Sequence, residues 1–202
     1  MFTGGYRKVL LLMMCKVLQE GLSQIDKGAE PMRAEVFAMA VILGVAGCTG
    51  MPAEELKVEL GFEEFPQKYT CDGADVSPEV GVTGAENAEA LAIIVDDPDA
   101  PGGTFTHWIA WNLPPASIPE SLPKVGTVKS PVRAVQGVND FGRVGYAGPC
   151  PPPGKPHRYF FRVYALDAPL ELEAGATRAE LERAMKGHVI AYGEAVATYG
   201  RV

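Results

Sequence analysis

The stretch "ALAIIVDDPDAPGGTFTHWIAWNL", residues 90–113, decides the fold. Two apolar runs rich in β-branched and aromatic residues flank a hinge of Asp, Pro and Gly. This pattern predicts buried strands over 90–97 and 107–113, joined by a turn. Turn residues alone suffice for such a connection. The hinge also crowds three Asp carboxylates against His107, which a connector does not need.

The composition favours one β-rich domain. The chain has 202 residues, of which 47% are apolar, and this is enough for one domain with a substantial core. A net charge of −7 without a Lys/Arg cluster gives little attraction for nucleic acid or anionic lipid, so neither is an expected partner of the folded part. Pro and Gly recur between short apolar runs, which favours many short strands over long helices.

Further strands and one helix are predicted around the opening stretch. The alternating run "HRYFFRVYALD", residues 157–167, is the strongest strand, and others are expected over 56–65 and 188–200. A T-x-x-E capping box at Thr177 begins a helix that ends at Gly187. The connections hold too little helix for parallel βαβ units. The predicted fold class is therefore mainly β, an antiparallel Greek-key, β-sandwich-like domain with one or two short helices.

The N-terminal part is typical of an export segment. The apolar run at 36–46 is too short to span a bilayer and suits a signal peptide, and the sequence "VAGC" that follows fits a lipoprotein cleavage site at Cys48. The predicted organisation is a leader over 1–48, a tether over 49–54 and a domain over 55–202. Residues 1–31 are interpreted as either an over-called start or an unusual leader. The expected protein is an exported, membrane-anchored lipoprotein with lipid on Cys48. The alternative is a buried N-terminal helix in a cytoplasmic protein.

The four cysteines leave one pair in the folded part. Cys15 falls in the leader and Cys48 at the cleavage site, so Cys71 and Cys150 remain. The chain has no C-x-x-C pattern, which argues against a zinc ribbon or a thioredoxin-like redox site. In an exported protein the remaining pair is compatible with one disulfide, and two separate buried thiols are the alternative.

Three polar side chains stand at the ends of the predicted strands. Asp97 ends one strand, and His107 and His157 each begin another. By alternation, His107 shares a face with Ile109 and Trp111. If these ends meet at one rim, Asp97 would orient and charge His107, and imidazolium with loop N–H groups would bind a small oxyanion. The alternatives are a plain Asp-Pro turn and two core histidines with satisfied hydrogen bonds.

Four motifs together resemble the phosphatidylethanolamine-binding protein family, also called Raf-kinase-inhibitor-like proteins, in its bacterial and archaeal branch. They are "DDPDAP" (96–101), "THWIAWNLP" (106–114), "NDFGRVGYAGPCPPPGKPHRYFFRVYALD" (139–167) and "GHVIAYGEAVATYG" (187–200). The resemblance covers roughly residues 55–202. Each motif is weak alone, but the ordered set is specific.

The resemblance implies a small anion pocket at one end of a β-sandwich-like fold. Carried over by motif, the ligand-site residues are Asp97, Asp99, His107, Gly148, Pro151, His157 and Tyr159. We expect Asp99 to hold its loop through backbone N–H groups, and Gly148 to let the backbone approach the bound oxygen atoms. The family also places the loops of Cys71 and Cys150 near the pocket, which favours a disulfide between them.

The predicted function is non-enzymatic binding of a small anion or phospholipid head group, with no metal and no cofactor. A metal on two His and one Asp has no short ligand spacing to support it. The alternatives are a protease- or kinase-inhibitory interaction protein and, less favoured, a hydrolase using Asp97 and His107. No G-x-S-x-G, P-loop or H-E-x-x-H motif supports the hydrolase. A protein partner and a homodimer stay open, and the membrane is expected to be reached only through the lipid anchor.

Overall fold

The structure, a computed structural model, describes residues 56–201. The strands, in chain order, are β1 Lys57–Glu59, β2 Gly81–Thr83, β3 Ala90–Asp97, β4 Phe105–Leu113, β5 Thr127–Val128, β6 Ala134–Gln136, β7 His157–Leu166 and β8 Val189–Tyr199. One α-helix, α1, spans Arg178–Met185, and a short 3-10 turn spans Gln67–Tyr69.

All pairings between the strands are antiparallel. β1 and β2 form a two-stranded sheet, and the other six strands form a second sheet in the order β5-β6-β4-β3-β7-β8. The prediction of a mainly β, antiparallel fold with a short helix is confirmed. The strand predicted over 56–65 is shorter, because the chain leaves β1 after Glu59 and pairs again only near Phe65, whose N–H donates to Thr198 of β8.

β3 lies at the centre of the larger sheet and is buried on both faces. We call the two resulting cores the inner layer and the helix layer. The inner layer lies on the face of Leu91, Ile93 and Val95, and the helix layer on the face of Ala92 and Ile94. A strand covered on both sides needs apolar residues at nearly every position, which explains the unbroken apolar run that opens the quoted stretch.

A β-bulge at His107 changes the face that this side chain occupies. Val95 pairs with Trp108. The next residue of β3, Asp96, pairs with Thr106, so β4 contributes one extra residue between the two pairs. An extra residue of this kind breaks the alternation of side chains and re-aims one of them.

The predicted phase of His107 is therefore wrong. Ile109 and Trp111 belong to the helix layer, whereas Trp108 lies in the inner layer. His107 lines a cavity with Tyr159, which is also an inner-layer residue. Strict alternation along β4 would place His107 in the helix layer with Ile109 and Trp111. The bulge moves it to the inner-layer side, next to Tyr159.

Helix α1 begins and ends where its sequence predicts. The Thr177 hydroxyl accepts a hydrogen bond from the Glu180 N–H, and the Glu180 carboxylate accepts one from the Thr177 N–H, which completes the capping box. Gly187 follows the helix with a φ of +90°, a conformation that suits glycine. Leu181 and Met185 are buried in the helix layer. The helix thus covers the face of the sheet that points away from the cavity.

The predicted leader, tether and lipidation residue Cys48 lie outside the described residues. Within residues 56–201, no helix is long and apolar enough to cross a membrane.

Candidate functional site

Antiparallel pairing brings the three polar strand ends to one rim. β3 runs antiparallel to both β4 and β7, so its last residue, Asp97, lies beside the first residues of its two neighbours. The rim surrounds a cavity of about 180 Å³. Its lining consists of Asp97, Ala100, Pro101, Phe105, His107, Phe141, Cys150, Pro151, Pro152, His157 and Tyr159. The structure therefore brings together five of the seven predicted ligand-site residues, and Asp99 and Gly148 do not line the cavity.

Asp97 pairs with His157, not with His107 as the sequence predicts. The Nδ1 of His157 lies 2.8 Å from Oδ2 of Asp97, and both side chains are buried. The second carboxylate oxygen of Asp97 accepts the backbone N–H of Asp99 at 2.8 Å. The carboxylate thus fixes the proton of His157 on Nδ1 and leaves Nε2 without a hydrogen-bond partner among the described residues.

His107 is held by the backbone. Its Nδ1 lies 2.8 Å from the carbonyl oxygen of Ala147, which can only accept, so this nitrogen carries the proton. Phe105, Phe141 and Tyr159 surround the ring, with centroids between 5.1 and 5.7 Å from that of His107. Burial lowers the pKa of His107, although the Ala147 carbonyl and the charge of Asp97 act in the opposite direction. The sequence predicts that Asp97 keeps His107 positively charged. Burial of the ring opposes that charge.

The Tyr159 hydroxyl has no hydrogen-bond partner among the described residues, although the oxygen is fully buried. Burial raises the pKa of Tyr159, and the charge of Asp97 raises it further, so the hydroxyl keeps its proton. The Asp97 carboxylate is also near enough to act on the hydroxyl as a hydrogen-bond acceptor and raise this pKa, but the contact falls outside the geometry of a full hydrogen bond. Almost all buried polar groups in proteins are paired, so this hydroxyl is an exception among the described residues.

Asp99 holds the loop behind the cavity, as predicted. Its carboxylate accepts hydrogen bonds from the backbone N–H of Arg158 at 3.0 Å and from the Arg158 guanidinium at 2.7 and 2.8 Å. These bonds hold the pKa of Asp99 well below its usual range. Since Arg158 follows His157 directly, this bidentate pair ties the hinge after β3 to the start of β7.

Gly148 serves packing rather than ligand contact, which corrects the predicted role. Its N–H donates to Oδ1 of Asp75 at 2.6 Å and is therefore not free for an anion. A side chain at this position would meet the carbonyl oxygen of Tyr69 at 2.2 Å. The glycine is needed because the backbone of the 69–75 loop passes so close, a requirement the sequence does not reveal.

A disulfide also joins the 69–75 loop to the segment that follows Gly148. The structure joins Cys71 to Cys150, with Cα atoms 5.4 Å apart. The segment that contains Cys150 forms one wall of the cavity, and four of its five residues from 149 to 153 are proline. Proline has no N–H, so this wall offers an anion few backbone donors. Among residues 149–153, only Cys150 keeps a backbone N–H. Most donors for an anion would therefore have to be side chains, and not the loop N–H groups that the sequence predicts.

Two aromatic residues of the rim were not predicted. Phe105 and Phe141 pack edge to face, with centroids 4.6 Å apart. Phe105 was within reach of the sequence, because it begins the strand that pairs with Asp97. Phe141 comes from the loop after β6 and carries no local signal. Together they give the entrance an apolar side.

Two other candidate sites have less support. An open groove of about 460 Å³ is lined in part by Phe62, Lys68 and Glu120, but Lys68 already pairs with Glu120 at 2.9 Å.

Within residues 56–201, no group of three His, Cys, Asp or Glu side chains is arranged to hold a metal ion.

Known proteins resemble the chain over the whole described region. A family model for "Phosphatidylethanolamine-binding protein" matches residues 58–200. A UPF0098 protein of Pyrococcus horikoshii is 53% identical over 189 residues, covering 90% of this chain and 93% of the relative. A UPF0098 protein of Pyrococcus abyssi is 57% identical over 168 residues, covering 80% of this chain and 94% of the relative.

Two solved structures are similar in fold and in sequence. A phosphatidylethanolamine-binding protein homologue from Chlamydia trachomatis has a TM-score of 0.66 at 36% identity, and the match covers 74% of this chain and 99% of the other. E. coli YbcL, described as a new member of the mammalian PEBP family, has a TM-score of 0.66 at 31% identity, with 73% and 99% covered. The matched family region, residues 58–200, includes every residue that lines the cavity.

Proposed function

The chain belongs to the phosphatidylethanolamine-binding protein family, and from this premise we propose that its cavity binds a small anion with phosphate chemistry, either free phosphate or a phosphorylated head group. The unpaired, buried hydroxyl of Tyr159 is the observation that carries the proposal. A buried polar group left without a partner costs about 1–3 kcal/mol. A ligand oxygen that accepts this hydrogen bond removes the cost.

The two histidines supply the other donors. His157, paired with Asp97, donates from Nε2 when it is protonated, and the pair as a whole is then neutral. His107 offers a lone pair on Nε2 when neutral and a donor when protonated. A phosphate group that keeps one proton can donate it to neutral His107, and a fully ionised anion requires protonated His107. The site is thus suited to an oxyanion whose binding is coupled to a proton.

The cavity also limits what is attached to the anion. Its volume of about 180 Å³ accommodates a phosphate group with a short substituent, and acyl chains would have to remain outside. The substituent would lie against the apolar side formed by Phe105 and Phe141. A phosphoethanolamine head group meets both requirements.

We propose binding without turnover. The described residues that line the cavity include no serine or threonine, and their cysteine is in a disulfide. The hydroxyl of Tyr159 lies near His107, but burial raises its pKa, so it keeps its proton and is a poor nucleophile. Turnover of phosphate or carboxylate esters by the pure protein, lost in His107→Ala, would contradict this part of the proposal.

The test is calorimetric titration of the full chain with phosphate and with phosphoethanolamine. Tyr159→Phe and His157→Ala should each weaken binding roughly tenfold to a hundredfold, the equivalent of one charge-assisted hydrogen bond. Tyr159→Phe should leave the free energy of unfolding unchanged or raise it, since it removes an unpaired group. Asp97→Asn should also weaken binding although it removes a negative charge, because His157 loses its carboxylate.

His188 provides a matched control. It also pairs with a carboxylate, its Nδ1 lying 2.8 Å from Oδ1 of Asp167, but next to the other end of β7. His188→Ala should leave the affinity unchanged. Equal affinity in wild type, Tyr159→Phe and His157→Ala, or tighter binding in Asp97→Asn, would overturn the proposal.

A further inference from the structure

We propose that the Cys71–Cys150 disulfide is a redox control on ligand binding, so that its reduction weakens the hold of the cavity on its anion. This inference rests on the proposed function, because it concerns the same cavity. Cys150 lines the cavity, and both cysteines are exposed.

The cavity wall lacks the hydrogen bonds that usually hold a loop in place. Four of the five residues from 149 to 153 are proline and donate none. The wall is tied before this point, where Gly148 donates to Asp75 at 2.6 Å, and after it, where Gly154 donates to the carbonyl of Arg201 at 3.1 Å.

Between these ties, Pro153 forms a β-bridge with Arg201 and Pro151 is buried, and Cys71 adds two further contacts. Its N–H donates to the carbonyl of Pro149 at 3.1 Å, and its side chain forms the disulfide with Cys150. Past Pro149, the residues up to the tie at Gly154 include Cys150, Pro151 and Pro152, and these three line the cavity. The disulfide is therefore the covalent support of the part of the wall that faces the ligand.

Cys71 itself sits on a fixed support. The adjacent Thr70 is fully buried. The carboxylate of Asp72 accepts hydrogen bonds from Tyr199 at 2.8 Å and from Arg201 at 2.9 Å. The disulfide thus joins the wall to a loop that is anchored on β8. Cutting it removes the covalent link between them and leaves the hydrogen bonds from Cys71 to Pro149 and from Gly148 to Asp75.

The control step needs a dithiol reductant. The dithiol attacks one sulfur of the exposed disulfide, the S–S bond breaks, and two thiols form with the gain of two electrons and two protons. The reductant is oxidised to its own disulfide. Without the link, the cavity-lining residues Cys150, Pro151 and Pro152 lose their covalent support, and Cys150 carries the only backbone N–H between Pro149 and Pro153.

The experiment compares oxidised and reduced wild-type protein by titration with inorganic phosphate. An uncharged dithiol such as dithiothreitol is the reductant, because a carboxylated phosphine could itself occupy the cavity. Peptide mapping before and after treatment establishes the state of Cys71 and Cys150. We expect reduction to weaken phosphate binding by about tenfold, as for the loss of one hydrogen bond to a charged group, and reoxidation to restore it.

Cysteine variants separate the redox effect from a loss of folding. The Cys71→Ser/Cys150→Ser double variant should bind phosphate like the reduced wild type and should not respond to the dithiol. Circular dichroism of each sample checks that the sheet is intact. Oxidised His157→Ala serves as a reference. Its phosphate affinity shows how weak binding becomes when the cavity loses one of its side-chain donors.

The outcomes distinguish this inference from the proposed function. If oxidised wild type binds neither phosphate nor phosphoethanolamine, the proposed function fails and the redox control fails with it. If oxidised and reduced wild type bind phosphate equally, the redox control alone is wrong and the anion site stands. A double variant that binds as tightly as oxidised wild type would also overturn the control.

Discussion

At the scale of single residues, the two histidines of the cavity differ in what holds them. His157 has a buried carboxylate partner in Asp97. His107 has a neutral carbonyl partner and aromatic neighbours, and burial lowers its pKa. Burial therefore opposes the positive charge on His107 that an incoming anion would favour.

The affinity for an anion should consequently depend on pH through His107. An anion favours the protonated ring, so binding takes up a proton and tightens as the pH falls through the lowered pKa of His107. Sulfate is the best probe, because its own charge is constant from about pH 5 to 8, the range in which histidine titrates. Calorimetry in buffers of different ionisation enthalpy should show the proton uptake.

His107→Gln keeps a polar side chain that does not titrate and should flatten this pH dependence. The same lowered pKa means that the unliganded protein loses stability as the pH falls below the ordinary histidine value, since the unfolded chain then binds more protons. A sulfate affinity independent of pH in the wild type would contradict the assignment of the proton to His107.

At the scale of elements, the bulge in β4 and the cap of α1 act on opposite faces of the sheet. The bulge adds one residue and turns His107 into the cavity. The cap fixes the start of α1, whose Leu181 and Met185 cover the helix layer. Since the helix lies on the other face of the sheet from the cavity, its stability and ligand binding should be separable.

Thr177→Ala should lower the free energy of unfolding by about 1 kcal/mol, because it removes the side-chain half of the capping box. Urea unfolding measures the change. Thr177→Ser retains the hydroxyl and should restore most of the stability. Phosphate affinity should be the same in all three proteins. A large loss of affinity in Thr177→Ala would show that the helix and the cavity are coupled.

At the scale of the whole molecule, the order of strands assembles the site. Asp97 and His157 are 60 residues apart in the chain, and they meet because β3 pairs with β7 in antiparallel register. Pro151 and Pro152 of the 149–153 wall line the same cavity as this carboxylate. Where the protein acts in the cell depends instead on the N-terminal segment, for which we keep the proposal of export and lipid attachment at Cys48.

Mass spectrometry of protein from its native cells tests this proposal. The mature chain should begin at a lipidated Cys48 and partition with membranes, because an acyl chain on the first residue supplies apolar area that inserts into a bilayer. Cys48→Ser should be neither lipidated nor membrane-bound. An unmodified native N-terminus upstream of Cys48 would show the proposal to be wrong.

The sequence by itself determined the long strands, the helix and most of the candidate site. The unbroken apolar run of β3, the alternation of β7 and the T-x-x-E pattern before α1 are local signals, and each was interpreted correctly. Strand ends identified Asp97, His107 and His157, and the family motifs added Pro151 and Tyr159. These signals are local because periodicity and capping depend only on neighbouring residues.

Only the tertiary structure decided which of these residues touch one another. It pairs Asp97 with His157 instead of His107, assigns Gly148 to packing against the loop of Tyr69, and brings Phe141 to the rim. Each of these contacts joins segments far apart in the chain, and one bulged residue was enough to reverse the expected face of His107. Strand register and bulges are set by packing between strands, which a pattern of alternating residues does not contain.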